Sequence, residues 1–213
     1  MESHAICYIF GAGERSDNPI ILQAEDLVIA ADGGFDYLKD LGLRADYVLG
    51  DMDSVLSGEL PSDVIRYPRE KDDTDLMLAV KLGLQKGYRT FHIYGGLGGR
   101  LDHTLANLQI LTYLSRHDAI GTLYSDQYAI SVITDDTLSF SKDHPGNTAG
   151  TICSIFSLSD ISVNVTIHGF KYETNSVTLT NSFPLGVSNE FTGQKCSIHV
   201  QKGTIAVLWY LSH

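Results

Sequence analysis

Basic residues are scarce in this chain of 213 residues. Lysine and arginine together number 15, against 26 aspartates and glutamates, which gives a formal net charge of −11 at pH 7. A chain of this charge repels nucleic acids and anionic membranes unless a basic patch offsets it, and the sequence shows no such patch. We therefore expect neither a nucleic-acid partner nor a membrane partner.

Long apolar runs are missing as well. No stretch approaches the roughly 18 apolar residues of a membrane-spanning helix. Residues 1–4 do not begin a basic segment that leads into a long apolar one. The hydrophobic content of 43% is nevertheless sufficient for a packed core. These features predict a soluble cytoplasmic protein.

Cysteine is rare, and the three residues Cys7, Cys153 and Cys196 are isolated among strand-like neighbours. Their odd number and wide spacing favour buried free thiols over disulfides or a zinc site. The histidines are scattered singly, without the spacing of zinc ligands. No Gly-x-Ser-x-Gly motif is present. Zinc chemistry and catalysis by a serine or cysteine nucleophile are therefore disfavoured.

The first part of the chain alternates β-rich apolar runs with helix-like segments. This alternation predicts an α/β domain with a mostly parallel sheet over residues 1–124. In such sheets, ligands bind beyond the carboxyl ends of the strands, where the Asp- and Gly-rich loops of this chain fall. The predicted strands are 5–10, 27–31, 46–49, 90–94 and 119–124, and the predicted helices are 35–41, 73–85 and 102–115. In the last helix, Leu105, Leu108, Leu111 and Thr112 are expected on one face.

The composition changes near residue 125, after which the chain is rich in Ser and Thr and contains no long helical stripe. Short β-branched runs separated by turns predict an antiparallel β-sandwich over residues 125–213. The predicted strands are 128–133, 151–156, 162–168, 176–180, 195–200 and 205–211. No Pro- or Ser-rich linker separates the two domains, so we expect them to pack closely.

Three acidic runs with neighbouring glycines are the most informative feature. They are GDMDS at 50–54, KDDTD at 71–75 and GGLGGRLDH at 95–103. Carboxylates are hard oxygen ligands suited to Mg²⁺, and backbone N–H groups in glycine turns hold phosphate oxygens. Together the runs predict a magnesium-nucleotide site.

Each acidic residue also has a simpler explanation. Asp51 and Asp53 follow a strand, and one of them could be a helix N-cap. Asp75 and Asp102 each fall at the predicted start of a helix, where Asp is favoured by capping and by the helix dipole. Lys71 could reach a phosphate or form a surface ion pair. Only the joint order of these residues favours a shared site.

The run from Gly95 to Gly99 is the most specific element, because four of its five residues are glycine. It permits close backbone approach to a bulky anion, and Arg100 supplies a charged fork for phosphate oxygens. The run is neither a Walker loop nor a dinucleotide fingerprint, because no Gly-Lys-Ser/Thr follows and the glycine spacing differs. Gly11-Ala-Gly13, by contrast, reads most simply as a tight turn.

The ordered motifs ADGG at 31–34, GDMDS, KDDTD and GGLGGRLDH resemble those of the thiamine pyrophosphokinase family. Ser188-Asn-Glu-Phe191 in the β-rich part resembles the thiamine-side segment of that family. The resemblance spans nearly the whole chain. It implies transfer of the diphosphoryl group of ATP to the hydroxyl of thiamine, giving thiamine diphosphate and AMP.

The resemblance also implies roles for residues and an assembly. A homodimer is expected, with thiamine between the nucleotide domain of one subunit and the sandwich of its partner. The magnesium-site carboxylates would be Asp51, Asp53, Asp75 and Asp102, which together with Arg100 form the expected catalytic set. ATP would be bound by Asp32, Gly33, Gly34, Lys71, Thr74, Gly95, Gly96, Gly98, Gly99 and Arg100. Thiamine would be bound by Ser188, Asn189 and Phe191.

Two other functions are compatible with the same residues. A related pyrophosphokinase acting on a pterin alcohol would retain the aspartates and the glycine loop but change the sandwich pocket. A non-catalytic nucleotide-binding regulator would need the phosphate cradle but not four carboxylates in register. The segment 188–191 favours thiamine over the pterin, and the four carboxylates favour an enzyme.

Overall fold

The computed structural model describes residues 5–50, 64–66 and 73–211, with the backbone alone for 64–66. The chain divides into two compact units, Met1–Asp126 and Gln127–His213. The sequence put the boundary at residue 124/125, two residues earlier. Within the described ranges, no helix is both long and apolar enough to cross a membrane.

The first unit is an open parallel sheet with helices. Its strands β1 to β6 occur in the spatial order β6-β5-β1-β2-β3-β4, and all neighbours are parallel. The strands are β1 Ile6–Phe10, β2 Leu27–Ala31, β3 Tyr47–Gly50, β4 Val64–Arg66, β5 Thr90–Tyr94 and β6 Ile120–Tyr124. The helices are α1 Gly34–Asp40, α2 Asp75–Gln85 and α3 Leu101–Ser115. The predicted α/β class is confirmed, although β4 was not predicted.

The strand order reverses at β1, which lies between β2 and β5. After β1, the chain forms β2 on one side of β1, and it later forms β5 on the other side of β1. Such a switch point opens a crevice at the carboxyl ends of the two strands, because their connections run in opposite directions. The loops that follow Phe10 and Tyr94 therefore flank a natural ligand site.

Packing of the helices differs in detail from the sequence prediction. In α2, the buried face contains Gly83 in place of the predicted Leu84. In α3, the predicted face is wrong in part, since Leu105 is 56% exposed. The side chains of α3 that are buried follow a helical repeat of three and four residues: Asn107, Ile110, Leu111 and Leu114.

The strands of the second unit form two four-stranded antiparallel groups, which confirms the predicted sandwich class. One group has the order β12-β9-β14-β7, and the other is a separate sheet with the order β11-β10-β13-β8. The strands are β7 Tyr128–Thr134, β8 Thr137–Phe140, β9 Ile152–Ser157, β10 Ile161–His168, β11 Thr174–Thr180, β12 Gly186–Glu190, β13 Cys196–Lys202 and β14 Thr204–Tyr210. Strands β8 and β12 were not predicted.

All three cysteines are buried free thiols, as the sequence predicted. Burial raises the pKa of each thiol, to about 11 for Cys196. The thiols are therefore protonated at neutral pH and poorly nucleophilic. Their contribution is to packing, as Cys7 illustrates beneath α2 at Gly83.

We predict that Gly83→Ala destabilises the protein. A Cβ at this position would lie 2.5 Å from Cε1 of the buried Phe91 ring and 2.9 Å from Cys7 Sγ. Overpacking of this kind costs about 1–3 kcal/mol, more than the gain in helix propensity. Urea denaturation of the variant measures the loss. Gln85→Ala, on the exposed end of the same helix, is the control and should change stability little. Equal stability of both variants would contradict the packing argument.

Candidate active site

A cleft of about 500 Å³ opens at the switch point of the first unit. The loops after β1 and β5 form one wall, while the end of β2 and the starts of α2 and α3 form the other sides. The residues that line it are Gly11, Ala12, Gly13, Ala31, Asp32, Asp73, Thr74, Asp75, Leu76, Gly95, Gly96, Leu97, Gly98, Gly99, Arg100, His103, Ala106 and Asn107. The cleft thus unites most of the residues predicted to bind nucleotide.

The glycine wall is built from two loops in close contact. Gly13 donates its N–H to the Gly95 carbonyl at 2.7 Å, and a Cβ on Gly13 would lie 2.6 Å from that oxygen. Gly95 itself has a positive φ of 64°, which disfavours other residues. Gly11-Ala-Gly13 is therefore more than a tight turn, because it is the structural partner of the run from Gly95 to Gly99.

Carboxylates line the same cleft at the end of β2 and at the start of α2. Asp32 has a φ of 53° and donates its N–H to the Leu49 carbonyl at 2.8 Å. A Cβ placed on Gly50 would lie 3.2 Å from Asp32 Cα and 3.7 Å from Asp75 Oδ1. Asp32, Gly50 and Asp75 therefore converge at one corner of the cleft.

The capping explanation for Asp75 fails in this structure. Thr74 is the N-cap of α2, and its Oγ1 accepts a hydrogen bond from the Met77 N–H at 3.2 Å. Asp75 is the first residue of the helix, where the positive end of the dipole still favours its charge. The carboxylate of Asp75 lines the cleft and is not used as the cap.

Arg100 and Asp102 form an exposed ion pair. Arg100 Nη2 and Nε lie 2.5 Å and 3.1 Å from Asp102 Oδ2 and Oδ1. The pKa of Asp102 is lowered, chiefly by the hydrogen bond from Arg100. Asp102 lies in the first turn of α3, but the N-cap is Arg100 and makes no side-chain cap. Arg100 lines the cleft, whereas Asp102 lies outside the set of lining residues.

Several predicted residues are placed elsewhere or fall outside the description. Asp51, Asp53 and Lys71 lie outside the described residues. Gly33 and Gly34 do not line the cleft. Gly34 is explained by packing, since a Cβ there would lie 1.8 Å from the Phe10 carbonyl oxygen.

Sequence reasoning missed the contribution of α3 to the cleft, namely His103, Ala106 and Asn107. Asn107 is 8% exposed, and its Nδ2 donates to the Gly96 carbonyl at 2.6 Å. The signal available in the sequence was a polar residue within the true apolar stripe at 107, 110, 111 and 114. The wrong assignment of that stripe hid it.

The donor chemistry of the carboxylate corner suits a hard divalent cation. Asp32 and Asp75 supply oxygen donors there, and the sequence continues from Gly50 into Asp51 and Asp53. Asp73, at the cleft rim, pairs instead with Lys81 at 2.6 Å. Within the described ranges, no group of three or more His, Cys, Asp or Glu side chains could hold a metal.

The segment 188–191 of the second unit divides into exposed and buried residues. Ser188 is exposed, has a φ of 61° and donates its N–H to Ser154 Oγ at 3.1 Å. Asn189 is buried, and its amide holds the backbone N–H and carbonyl of Tyr172 at 3.0 Å and 2.8 Å. These contacts leave Ser188 as the member of the segment best placed to meet a ligand.

Phe191 lies in the core of the sandwich. Its side chain is 1% exposed and packs edge-on against Phe140, with ring centroids 5.1 Å apart. Phe170 is a further neighbour at 4.9 Å. The structure thus shows a packing role for this ring, and its predicted contact with thiamine stays a prediction.

An open parallel sheet with a glycine-lined, carboxylate-bearing cleft at its switch point defines the class of α/β phosphate- and nucleotide-binding domains. Comparison with family models makes the assignment specific. Residues 19–123 match the model described as "Thiamin pyrophosphokinase, catalytic domain". Residues 137–205 match "Thiamin pyrophosphokinase, vitamin B1 binding domain". The chain belongs to the thiamin pyrophosphokinase family.

Individual relatives agree with this assignment. The thiamine pyrophosphokinase of Bacillus subtilis (strain 168) is 29% identical over 189 residues, covering 85% of this chain and 86% of the relative. A crystal structure of the Bacillus subtilis enzyme matches with a TM-score of 0.83 and 26% identity, covering 98% and 100% of the two chains. Thiamin pyrophosphokinase from Candida albicans shares the fold at 15% identity, with a TM-score of 0.80 and coverage of 98% and 90%.

We predict that Phe191→Ala lowers the free energy of unfolding by about 3–5 kcal/mol, because it leaves a cavity among buried aromatic rings. Urea denaturation followed by tryptophan fluorescence measures the change, since Trp209 contacts Phe140 in the same cluster. Phe183→Ala is the matched control, because Phe183 is 66% exposed. Wild-type stability of Phe191→Ala together with weaker thiamine binding would instead support the predicted role of Phe191 in binding thiamine.

Proposed function

We propose that this chain transfers the diphosphoryl group of ATP to the hydroxyl of thiamine, giving thiamine diphosphate and AMP, in the cleft at the β1/β5 switch point. Membership of the thiamin pyrophosphokinase family supports the reaction. The observation that supports its location is the cleft itself, in which a glycine wall faces the carboxylates of Asp32 and Asp75.

The glycine wall is the proposed seat of the phosphates. Gly98 and Gly99 have φ values of 77° and 63°. A Cβ on Gly98 would meet the Glu14 side chain, whereas among the described residues beyond the chain neighbours of Gly99, none has an atom within 4 Å of a Cβ on Gly99. Open space beside the backbone lets a bulky anion approach main-chain N–H groups closely. Arg100, which follows directly, provides the charged fork for phosphate oxygens.

Mg²⁺ is proposed at the carboxylate corner, held by Asp75 together with Asp51 and Asp53. The cation would neutralise phosphate charge and orient the β-phosphorus for attack. Asp32 borders the same corner. Asp102 belongs to the expected ligand set, but its carboxylate is bound to Arg100 in this structure. Asp102 would therefore bind Mg²⁺ only if Arg100 releases the carboxylate or shares it with the cation.

Diphosphoryl transfer depends on positioning and charge neutralisation more than on covalent catalysis. In this scheme the glycine loop and Arg100 orient the phosphates, so that the thiamine oxygen and the AMP oxygen are in line at the β-phosphorus. The proton of the thiamine hydroxyl passes to a carboxylate, and Asp75 and Asp102 are the two candidates. The negative charge of the corner also favours the cationic thiazolium ring of thiamine.

Thiamine is proposed to contact the second unit at Ser188, the exposed residue of the segment 188–191. Asn189 would act by fixing the neighbouring backbone at Tyr172, and Phe191 by supporting the segment from the core.

As the family resemblance implies, we propose a homodimer in which the sandwich of one subunit completes the thiamine site of its partner. Sedimentation equilibrium tests this, and a mass equal to that of one 23.3 kDa chain would reject it.

The reaction is tested with purified protein, ATP and Mg²⁺, to which either thiamine or a pterin alcohol is added. AMP and thiamine diphosphate formed only with thiamine are the expected products. AMP formed only with the pterin would reject the substrate, and no AMP with either acceptor would favour a non-catalytic regulator. Omission of Mg²⁺ should abolish turnover.

We predict that Asp75→Asn reduces kcat by about 100-fold or more, since each 1.4 kcal/mol of lost transition-state stabilisation is a factor of ten. Thermal stability should change little, because Thr74 provides the helix cap. Steady-state kinetics at saturating ATP measures the effect. Asp118→Asn, at an exposed turn outside the cleft with a φ of 52° that Asn tolerates, is the control. Unchanged turnover of Asp75→Asn would remove this residue from the proposed catalytic set.

A further inference from the structure

Four consecutive carbonyl groups of the glycine wall accept hydrogen bonds from the protein. The carbonyls of Tyr94, Gly95 and Leu97 accept backbone N–H groups from the loop after β1, at 2.7–2.9 Å. The Gly96 carbonyl differs, because its donor is the side-chain amide of Asn107, at 2.6 Å. One peptide of the wall therefore depends on a single side chain from α3.

Asn107 is well fixed for this task. It lies on the buried face of α3 with Ile110 and Leu111, and it is 8% exposed. A carbonyl oxygen only accepts hydrogen bonds, so the amide nitrogen of Asn107 must be the atom that faces Gly96. A Cβ on Gly96 would lie 2.5 Å from Leu123 Cδ2 and 3.5 Å from Asn107 Nδ2. The packing of these two side chains therefore leaves room only for glycine at this position.

The orientation of this peptide matters for an anion. In a planar trans peptide, the C=O of Gly96 and the N–H of Leu97 point in opposite directions, so both turn together. Such a rotation changes ψ of residue 96 and φ of residue 97, and residue 96 is a glycine, which tolerates a wide range of backbone angles. A carbonyl turned toward the cleft would present its negative end to the phosphates and weaken their binding.

We propose that Asn107 is a positioning residue for the nucleotide, which holds the Gly96–Leu97 peptide in the orientation that phosphate binding requires. This inference rests on the proposed function of the cleft. A purely structural role for the same hydrogen bond would lower stability but would leave nucleotide affinity unchanged. The two roles are therefore separable by measuring affinity and stability on the same variants.

The test compares Asn107→Asp with Asn18→Asp. Asn18 Nδ2 donates to the Ser125 carbonyl at 2.9 Å in the same unit, but Asn18 does not line the cleft. Each variant replaces an amide donor to a main-chain carbonyl with a carboxylate. Because Asn107 lines the cleft, its new charge would also repel phosphates, so Asn107→Leu, which removes the donor without adding charge, is measured beside it. The probe is α,β-methylene-ATP with Mg²⁺, in which the bond to be broken is inert, and calorimetry gives its Kd.

We expect the Kd of the analogue to rise about tenfold or more in Asn107→Asp and to stay within about twofold of wild type in Asn18→Asp. The KM for thiamine should stay near its wild-type value in both. Unchanged affinity of Asn107→Asp with a lower melting temperature would overturn the proposal, as would equal losses in the two variants.

The proposal stays testable if Asn107→Asp does not fold. If circular dichroism shows that Asn107→Asp is unfolded, Asn107→Leu alone is compared with wild type, because leucine suits a helix. The same loss of affinity is expected, and wild-type affinity would overturn the proposal. If wild-type protein binds the analogue but makes no thiamine diphosphate, the proposed function fails, while the comparison of affinities still decides the role of Asn107.

Discussion

The cleft depends on the backbone contact between the loops that follow β1 and β5. These strands are neighbours in the sheet but distant in the chain, and their loops are joined by hydrogen bonds from Gly11, Gly13 and Glu14. Side chains cannot intervene, because a Cβ on Gly11 or Gly13 would lie 2.6 Å from the Gly95 carbonyl oxygen. The two glycine motifs are therefore one structural element, and neither could form the wall alone.

At the start of α2, one side chain caps the helix and a different side chain lines the cleft. A carboxylate that caps a helix is committed to backbone N–H groups and has less capacity for a cation. Here Thr74 takes the cap, so Asp75 lies in the first turn beside Asp32 and Gly50. The adjacent Asp73 is neutralised by Lys81. The acidic run at 71–75 therefore contains side chains with different tasks, which its composition alone did not reveal.

The architecture was largely predictable because strand and helix periodicities are local. The short strands β4, β8 and β12 were missed because three to five residues give little pattern, and β12 also contains a bulge between Gly186 and Asn189. The cleft residues on the ordered motifs were predicted from residue chemistry and family resemblance. The contacts of Asn107 and of Phe191 were not, because hydrogen bonds to a distant carbonyl and ring packing depend on tertiary structure.

The ion pair between Arg100 and Asp102 keeps one positively charged and one negatively charged side chain together at the start of α3. Both side chains are largely exposed, at 72% and 64%, and water screens the attraction between exposed charges. Phosphate oxygens of an incoming nucleotide can therefore compete for Arg100 at little cost. Release of Arg100 would remove the hydrogen bond that contributes most to the lowered pKa of Asp102, leaving its carboxylate with the backbone N–H of His103. In the proposed reaction, the same exchange would make both side chains available, Arg100 to the phosphates and Asp102 to a cation.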